Sequence, residues 1–502
     1  MHISKVIFSV TMITLMARLL SLVSIQVYMS FFGPRDAYIN VYSYALNVPN
    51  IIFNVIGTFI TAIVVPIYVS LKDKPEGAKF MTNMMALVFA LIGFLVAMGY
   101  LFAPAIVSLT QFQYDQLEFA VVALRVMLMA MFFYGFHYMF QGMLHAHDKF
   151  FMPAFVTIPS SLVVIGYVVF LGDRWGVHGL LYATVLGLSM QALVLLPQIL
   201  RLKIKWQWPQ LADPQVKKAL ILAGPVLVSV LSFQINTFFN ATLATRFNLV
   251  TIMAYAQNLM LVVILSVVYA ITAVYLPKLT QMWEEKKQTE FAQSLRDITL
   301  TVVFLLAPAS LGFYLLRFEI IALIAMWGDF ELEDAMITAT VLGYFGLGVV
   351  SIGLKEVFDR GFYAKQNPKI PGIFGFVIMG INIVFSLSAI NTLGFLTIPI
   401  SFAVSTTIGT LGLMLMMHLR VGLINGALVG GVLKVILATG IMGIALWASQ
   451  PFFEGISLTH DLLHRGVQLF APTLFGVSVY FMCALLLGIG QIKGLAQMIR
   501  KK

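Results

Sequence analysis

Few residues in this 502-residue chain could do chemistry, because only 10% of them are charged. Arg18 stands inside the first apolar segment, where a charge is costly and normally faces a cavity or a partner. A guanidinium there suits an anionic head group such as a diphosphate, which it can grip with two parallel hydrogen bonds. The plainer reading is snorkelling or a structural ion pair. A second set is neutral. Asn40, Asn47, Asn50 and Asn54 recur at spacings of seven, three and four, which is one helix face. Gln257 and Asn258 stand at the related place in a later segment, and Tyr38, Tyr42, Tyr44 and Tyr255 lie close to them in sequence. Amides and hydroxyls in an apolar helix either hold helices together or line a cavity. A cavity lined in this way suits sugars, which bind through neutral hydrogen bonds and aromatic stacking.

A third set is ionic. Lys355, Glu356, Asp359 and Arg360 end the tenth apolar segment, with Glu356 and Arg360 at i,i+4. They read either as a solvated inner cap or as a gate whose ion pairs break in a conformational change. Arg125 lies near the outer end of the fourth segment and can snorkel, and Lys434 lies within the thirteenth, where a long side chain can reach the inner surface. His137, His145 and His147 have no cysteine or carboxylate cluster to make a metal set and read as interfacial histidines.

Other chemistries lack their motifs. The sequence has no G-x-x-x-x-G-K-[ST], so ATP hydrolysis is not expected, and neither G-x-S-x-G nor H-E-x-x-H occurs. No Asp or Glu falls at the centre of an apolar segment, so a midplane proton relay has no candidate. The expectation is a protein that is not an enzyme and needs no cofactor or metal.

The elements that must position these residues are membrane helices. The chain is 60% hydrophobic with a mean hydropathy of +0.95, whereas soluble domains carry about 25% charged residues. Fourteen stretches reach the roughly 20 apolar residues that a spanning helix needs. They run at 5–32, 37–70, 80–110, 119–146, 150–171, 177–201, 218–245, 249–280, 296–317, 335–363, 370–391, 394–418, 424–448 and 467–491. Pro49, Gly57 and Pro66 predict a kink in the second. The single cysteine, Cys483, excludes an intrachain disulfide. The first segment is too long for a signal-peptide core and is read as a retained helix. With the N-terminus inside, 23 Lys and Arg fall on the inner side and five on the outer side. That bias predicts fourteen spans with both termini cytoplasmic. It also assigns the net charge of +10 to topology rather than to nucleic acid.

The chain repeats itself. Residues 37–68 and 248–279 share seven identities at a constant offset of 211, among them Tyr44/Tyr255, Asn47/Asn258, Thr61/Thr272 and Pro66/Pro277. A second echo places Pro153 seven residues after Ala146 and Pro371 seven after Ala364. A six-helix repeat follows, with both copies running in the same direction. The expected organisation is an N-terminal lobe at 1–201, a cytoplasmic interfacial linker at 202–217, a C-terminal lobe at 218–418, and two further helices with a tail at 419–502.

The stretch FFGPRDAYINVYSYALNVPNIIFNVIGTFITAIVVPIY resembles the helix 1–2 region of the MurJ (MviN) lipid II flippases. It has the family's glycine turn, Asp-Ala pair, Pro-Asn pair and proline ending. SFQINTFFN at 232–240 and YLPKLTQ at 275–281 resemble the start of that family's helix 7 and the end of its helix 8. The resemblance implies a MATE-like fold of the MOP superfamily, all-α, with two six-helix lobes around a central cavity. Helices 13 and 14 would form a lipid-tail groove. The implied activity is moving undecaprenyl-diphosphate-linked peptidoglycan precursor from the inner to the outer leaflet of a bacterial cytoplasmic membrane. Implied partners are that lipid, the surrounding membrane lipids and the cell-wall synthesis machinery, with the chain acting as a monomer. Arg18 matches the first of the family's cavity arginines. Ser24, Phe53, Asn54 and Asn258 stand where basic residues are usual, Asn40 where an Asp is usual, and Leu261 where an acid is usual. A flippase for another lipid-linked saccharide of O-antigen or teichoic type, a MATE-type small-molecule exporter and a non-transporting scaffold are the competing expectations.

Overall fold

The computed structural model describes residues 2–202, 204, 207–210, 213–454 and 461–492. Lys203, Lys205, Lys493, Arg500, Lys501 and Lys502, which count toward the inner-side charge, lie outside the described residues, as do the side chains of Thr272 and Ala273 in the repeat. Among the described residues the secondary structure is helical throughout. In chain order the helices are α1 (His2–Phe32), α2 (Ala37–Phe59), α3 (Val65–Leu71), α4 (Pro75–Ser108), α5 (Tyr114–Ala146), α6 (Phe151–Phe155), α7 (Thr157–Leu200), α8 (Pro214–Thr245) and α9 (Val250–Glu284). They continue as α10 (Gln288–Leu315), α11 (Arg317–Ile324), α12 (Leu332–Gly346), α13 (Val349–Ala364), α14 (Lys369–Leu393), α15 (Thr397–Val421), α16 (Gly426–Glu454) and α17 (Asp461–Leu486).

Ten of these stretches are long and apolar enough to cross a membrane, or eleven when the bent pair α12 and α13 counts as one crossing. The difference from fourteen has a physical source. α7 has 44 residues and would be about 66 Å long if straight, twice the ~30 Å hydrocarbon layer. It folds back at Gly176, whose φ of 55° and ψ of −151° are open only to glycine. The Tyr167 hydroxyl donates to Gly176 O at 2.7 Å. A Cβ on Gly187 would stand 2.9 Å from Ser160 O, so the two arms are in backbone contact. α14 and α15 form a second hairpin about Gly394, closed by hydrogen bonds from Asn382 Nδ2 (3.1 Å) and Ser386 Oγ (2.8 Å) to Ser401 Oγ. α8, with 32 residues, lies outside the ten.

The kink predicted in the second segment is a π-helical turn at Ile60–Val64. The N–H of Val65 reaches back five residues to Ile60 O. Pro66 follows at once, has no N–H to donate, and disfavours regular helix before it. At the other end Asp36 caps α2, its Oδ1 accepting from the N–H groups of Tyr38 and Ile39 at 2.9 Å each.

The chain forms two compact units. The first comprises Met1–Tyr255 with Gly328–Phe330, and the second Ala256–Trp327 with Glu331–Lys502. In the first, α2 packs against α5 and α8, and α7 packs against α5 and α1, around Tyr42, Tyr44, Phe80 and Met29. The described part of the linker runs over α4 in this unit. Gln210 N donates to Asn83 Oδ1 at 2.6 Å, and Lys79 pairs with Asp213 at 3.4 Å. Trp208 in that strap is 90% exposed. In the second unit α10, α13 and α15 pack around Phe304, Phe345, Phe358 and Phe362, with α16 and α17 against α10. α8 falls with the first unit, and the division passes through α9.

Candidate functional site

The first unit carries a polar face on an otherwise apolar helix. Asn47, Asn50, Asn54, Thr58 and Thr61 of α2 and its π-helical turn follow one another at three or four residues, so they share one face along roughly 21 Å. All five are half-buried or exposed, while Ile39, Val41, Tyr42, Tyr44, Phe53 and Ile56 on the other faces are buried. Thr58 and Thr61 donate to Asn54 O and Gly57 O at 2.7 and 2.9 Å, which leaves their oxygens as outward acceptors. Among the described residues neither Asn47 nor Asn54 has a side-chain hydrogen-bond partner. Asn50 accepts from the Tyr134 hydroxyl of α5 at 2.8 Å, and the Tyr134 and Tyr138 rings meet Phe53 at centroid distances of 3.4 and 5.4 Å. The face is therefore neutral, rich in donors and acceptors, and flanked by aromatic rings. Thr58 and Thr61 continue the spacing of the asparagines and could have been read from it. Tyr134 comes from another helix and had no local signal.

Asn40, expected to line a cavity with these residues, does not. It is 0% exposed. Its Nδ2 donates to Pro34 O at 3.0 Å and Asp36 O at 2.8 Å, and its Oδ1 accepts from Thr251 N at 3.1 Å. Ser43 donates to Thr251 Oγ1 at 2.8 Å, since Thr251 gives its own proton to Ile39 O. This knot ties together the first turns of the two repeated helices. Tyr44 and Tyr255 are buried as well, with Tyr44 3.4 Å from Thr242 Oγ1 and edge-on to Phe112. Ser24 is buried in α1. His137 is also buried rather than interfacial, because α5 passes through the middle of the unit.

Arg18 is exposed. It does not lie with the exposed apolar stripe of α1, formed by Met12, Met16, Leu19 and Val23, but roughly a third of a turn around the helix. Two different open faces therefore share this helix. Among the described residues no acidic side chain pairs with Arg18. Arg125 instead donates to Tyr100 O at 3.3 Å and lies 4.5 Å from that ring, a local packing role.

In the second unit Gln257 is half-buried and Asn258 exposed near the start of α9. The ionic set is partly buried rather than fully exposed. α13 is half of a bent membrane-crossing pair, and Lys355 Nζ sits 2.6 Å from Asp359 Oδ2 with the two side chains 24% and 9% exposed. Arg360 lies 3.8 Å from Glu356. Just beyond α13, burial and then the Arg420 guanidinium push the Lys365 ammonium down to about 8, although the Trp283 ring 4.4 Å beneath it works the other way. Lys287 has the opposite bias, raised by its hydrogen bond to Glu285. A lowered value means that the neutral, nucleophilic amine appears at lower pH. Lys365 is therefore expected to acetylate about tenfold faster than Lys287 at pH 8, read by mass spectrometry of acetic-anhydride-labelled protein. Equal rates would contradict the burial argument.

An apolar cavity of about 480 Å³ opens between α10, α16 and α17, lined by Phe304, Pro308, Gly312, Met442, Leu446 and Phe470 among others. Its volume and largely apolar lining suit an alkyl chain.

Residues 29–468 match the family described as Lipid II flippase MurJ. A probable lipid II flippase MurJ of Bdellovibrio bacteriovorus is 24% identical over 473 residues, 89% of this chain and 88% of that one. The lipid II flippase MurJ of Burkholderia cenocepacia is 26% identical over 392 residues, 74% and 75% of the two chains. Among solved structures, a lipid II flippase MurJ in an inward closed conformation superposes with a TM-score of 0.80 at 20% identity, covering 95% of this chain and 98% of that one. An inward-facing multidrug resistance MATE transporter of the MOP superfamily follows at 0.66 and 17% identity, covering 81% and 94%.

Proposed function

The chain belongs to the lipid II flippase MurJ family, and we propose that it moves lipid II from the inner to the outer leaflet of a bacterial cytoplasmic membrane by alternating access. The family match over 29–468 carries this reading, supported by a fold shared with a MurJ structure. It is a transporter and not an enzyme, and its place is the membrane, which its helices cross many times. On this reading α8 and the hairpins about Gly176 and Gly394 bring the count to fourteen crossings, with both termini cytoplasmic as the Lys and Arg distribution requires. The last two helices would hold the tail in the apolar cavity beside α10. The test is depletion in cells: lipid II open to an externally added cleaving enzyme should fall while total lipid II rises. Unchanged external lipid II would overturn the proposal.

Arg18 is the candidate contact for the diphosphate, through charge-assisted hydrogen bonds. The neutral face of α2 is the candidate contact for the sugars and peptide amides, which carry many hydrogen-bonding groups and little charge. Asn47, Asn54 and Thr61 then act as donors and acceptors along the path, and Asn50 is set by Tyr134. The triple substitution N47L/N54L/T61V should cut transport about tenfold, since each neutral hydrogen bond contributes roughly 0.5–1.5 kcal/mol. The melting temperature should stay within a few degrees of wild type, because these side chains are not part of the packed core. A transport rate equal to wild type would remove the face from the pathway. Lack of charge along this face also suits a carrier lipid with another neutral saccharide, and competition between lipid II and such lipids for the purified protein separates the two readings.

A further inference from the structure

Gly176 divides α7 into two arms, residues 157–175 and 177–200, and a cavity of about 820 Å³ is walled by both. Val163, Gly166 and Phe170 line it from the first arm, and His178, Tyr182 and Leu186 from the second. From Val163 to Leu171, and again from His178 to Leu186, the lining runs roughly 12 Å along the arm. That is close to half of the ~30 Å hydrocarbon layer, the depth of one leaflet. The walls are held in place by packing and a hydrogen bond. The Tyr167 hydroxyl bridges to Gly176 O, and a Cβ on Gly179 would collide with the same hydroxyl. A Cβ on Gly172 would stand 2.7 Å from the Phe31 ring of α1, and the His178 ring lies 4.5 Å from that of Phe119 in α5. Phe170, Trp175 and Tyr182 are exposed, so the cavity opens outward rather than into the packed core. Asp173 and Arg174 stand in the turn, between the lining residues Leu171 and Trp175. Both are exposed, and neither side chain has a hydrogen-bond or ion-pair partner among the described residues. Trp175 beside them is a residue type that marks membrane interfaces.

We propose that this cavity binds a membrane aminophospholipid, phosphatidylethanolamine, with an acyl chain between the arms of α7, its phosphate on Arg174 and its ammonium on Asp173. The apolar, aromatic lining takes the chain, and its depth matches a chain that ends at the bilayer midplane. The adjacent acid and base at the turn select the head group. A guanidinium fork receives two phosphate oxygens, and a carboxylate accepts from an ammonium. A phospholipid with net negative charge also meets Arg174, but it sets its phosphate beside the Asp173 carboxylate with no cation to offset the repulsion. A zwitterionic head satisfies both charges at once. Lipid II fits this cavity poorly, since its diphosphate carries more negative charge and its polyprenyl tail is far longer than one leaflet is deep. The site is therefore distinct from the transport path and does not depend on the lipid II reading.

The experiment measures binding of dioleoyl phosphatidylethanolamine and dioleoyl phosphatidylglycerol to the purified full chain by native mass spectrometry. Wild type is expected to bind phosphatidylethanolamine about tenfold more tightly, the worth of one charge-assisted contact. Asp173→Asn should abolish that preference, and Arg174→Gln should weaken both lipids about tenfold. Gly166→Phe tests the cavity itself. A Cβ on Gly166 meets no atom within 4 Å, so the ring fills the cavity without displacing its walls. This variant should weaken both lipids about tenfold or more while its melting temperature in lipid-free detergent stays near wild type. Should Gly166→Phe melt early, the Asp173 and Arg174 variants, which change only exposed side chains, decide the matter. Wild-type binding by a stable Gly166→Phe would overturn the inference, as would an unchanged preference in Asp173→Asn. Equal binding of the two lipids by the wild-type protein would overturn it as well.

Discussion

Replacing Arg18 by alanine is expected to lower lipid II translocation about 30-fold, equivalent to roughly 2 kcal/mol, while leaving the folded protein as stable as wild type. The size follows from the chemistry of a hydrogen bond to a charged group, about 1.5–3 kcal/mol, in a setting where salt and water screen less than at a protein surface. The selectivity follows from placement. Arg18 is exposed, pairs with no acidic side chain among the described residues, and stands away from the apolar stripe of Met12, Met16, Leu19 and Val23. Removing it therefore breaks no ion pair and opens no core cavity. Arg18→Lys should fall between the two, since an ammonium keeps the charge but loses the planar fork. Translocation is read from external accessibility of lipid II in cells carrying the variant alone, and stability from thermal melting of the purified protein. A large drop in melting temperature would mark a structural arginine. Full activity of the alanine variant would remove Arg18 from the pathway.

Sequence reasoning reached the architecture through patterns that the membrane makes simple. Where backbone groups must be satisfied inside each segment, long apolar runs have little choice but to be helices. One pair at the repeat offset of 211 is in contact in the structure, Asn40 Oδ1 accepting from Thr251 N. The turns at Gly176 and Gly394 were legible as gaps between apolar runs, and the π-helical turn as a proline kink. Side-chain roles were less legible, because one helix face serves different ends along its length. Asn40 and Asn54 share the periodicity, yet the first is sealed in a knot at the helix start and the second is open. The charged set at the end of α13 reads as a solvated cap or as a gate, since two i,i+4 pairs look the same in sequence in either role. Tyr134 on α5, which orients Asn50, could be found only once the helices were packed.

Asn40 gives the other large effect, and it separates holding the fold from lining the path. Asn40→Ala is expected to destabilise the protein by about 2–4 kcal/mol. The amide makes three hydrogen bonds, to Pro34 O, Asp36 O and Thr251 N, and it is wholly buried. Truncation leaves Thr251 N and Pro34 O without their partner, while Asp36 O keeps the Asn40 backbone N–H at 3.1 Å, and opens a space the size of an amide. The neighbouring bond from Ser43 to Thr251 remains, but it fixes the Thr251 side chain rather than its N–H. Asn40→Asp tests the same geometry through charge. A carboxylate can still accept from Thr251 N, but it meets the carbonyl oxygens of Pro34 and Asp36 with no donor to offer. It should therefore be worse than wild type at neutral pH and recover as the carboxyl is protonated in acid. Thermal melting of the alanine and aspartate variants measures both effects, with the Asn54→Ala variant as the contrast in which melting stays near wild type. Equal melting for Asn40→Ala and Asn54→Ala would mean that the start of α2 is held by Asp36 and packing alone, and that the amide tie to α9 adds nothing.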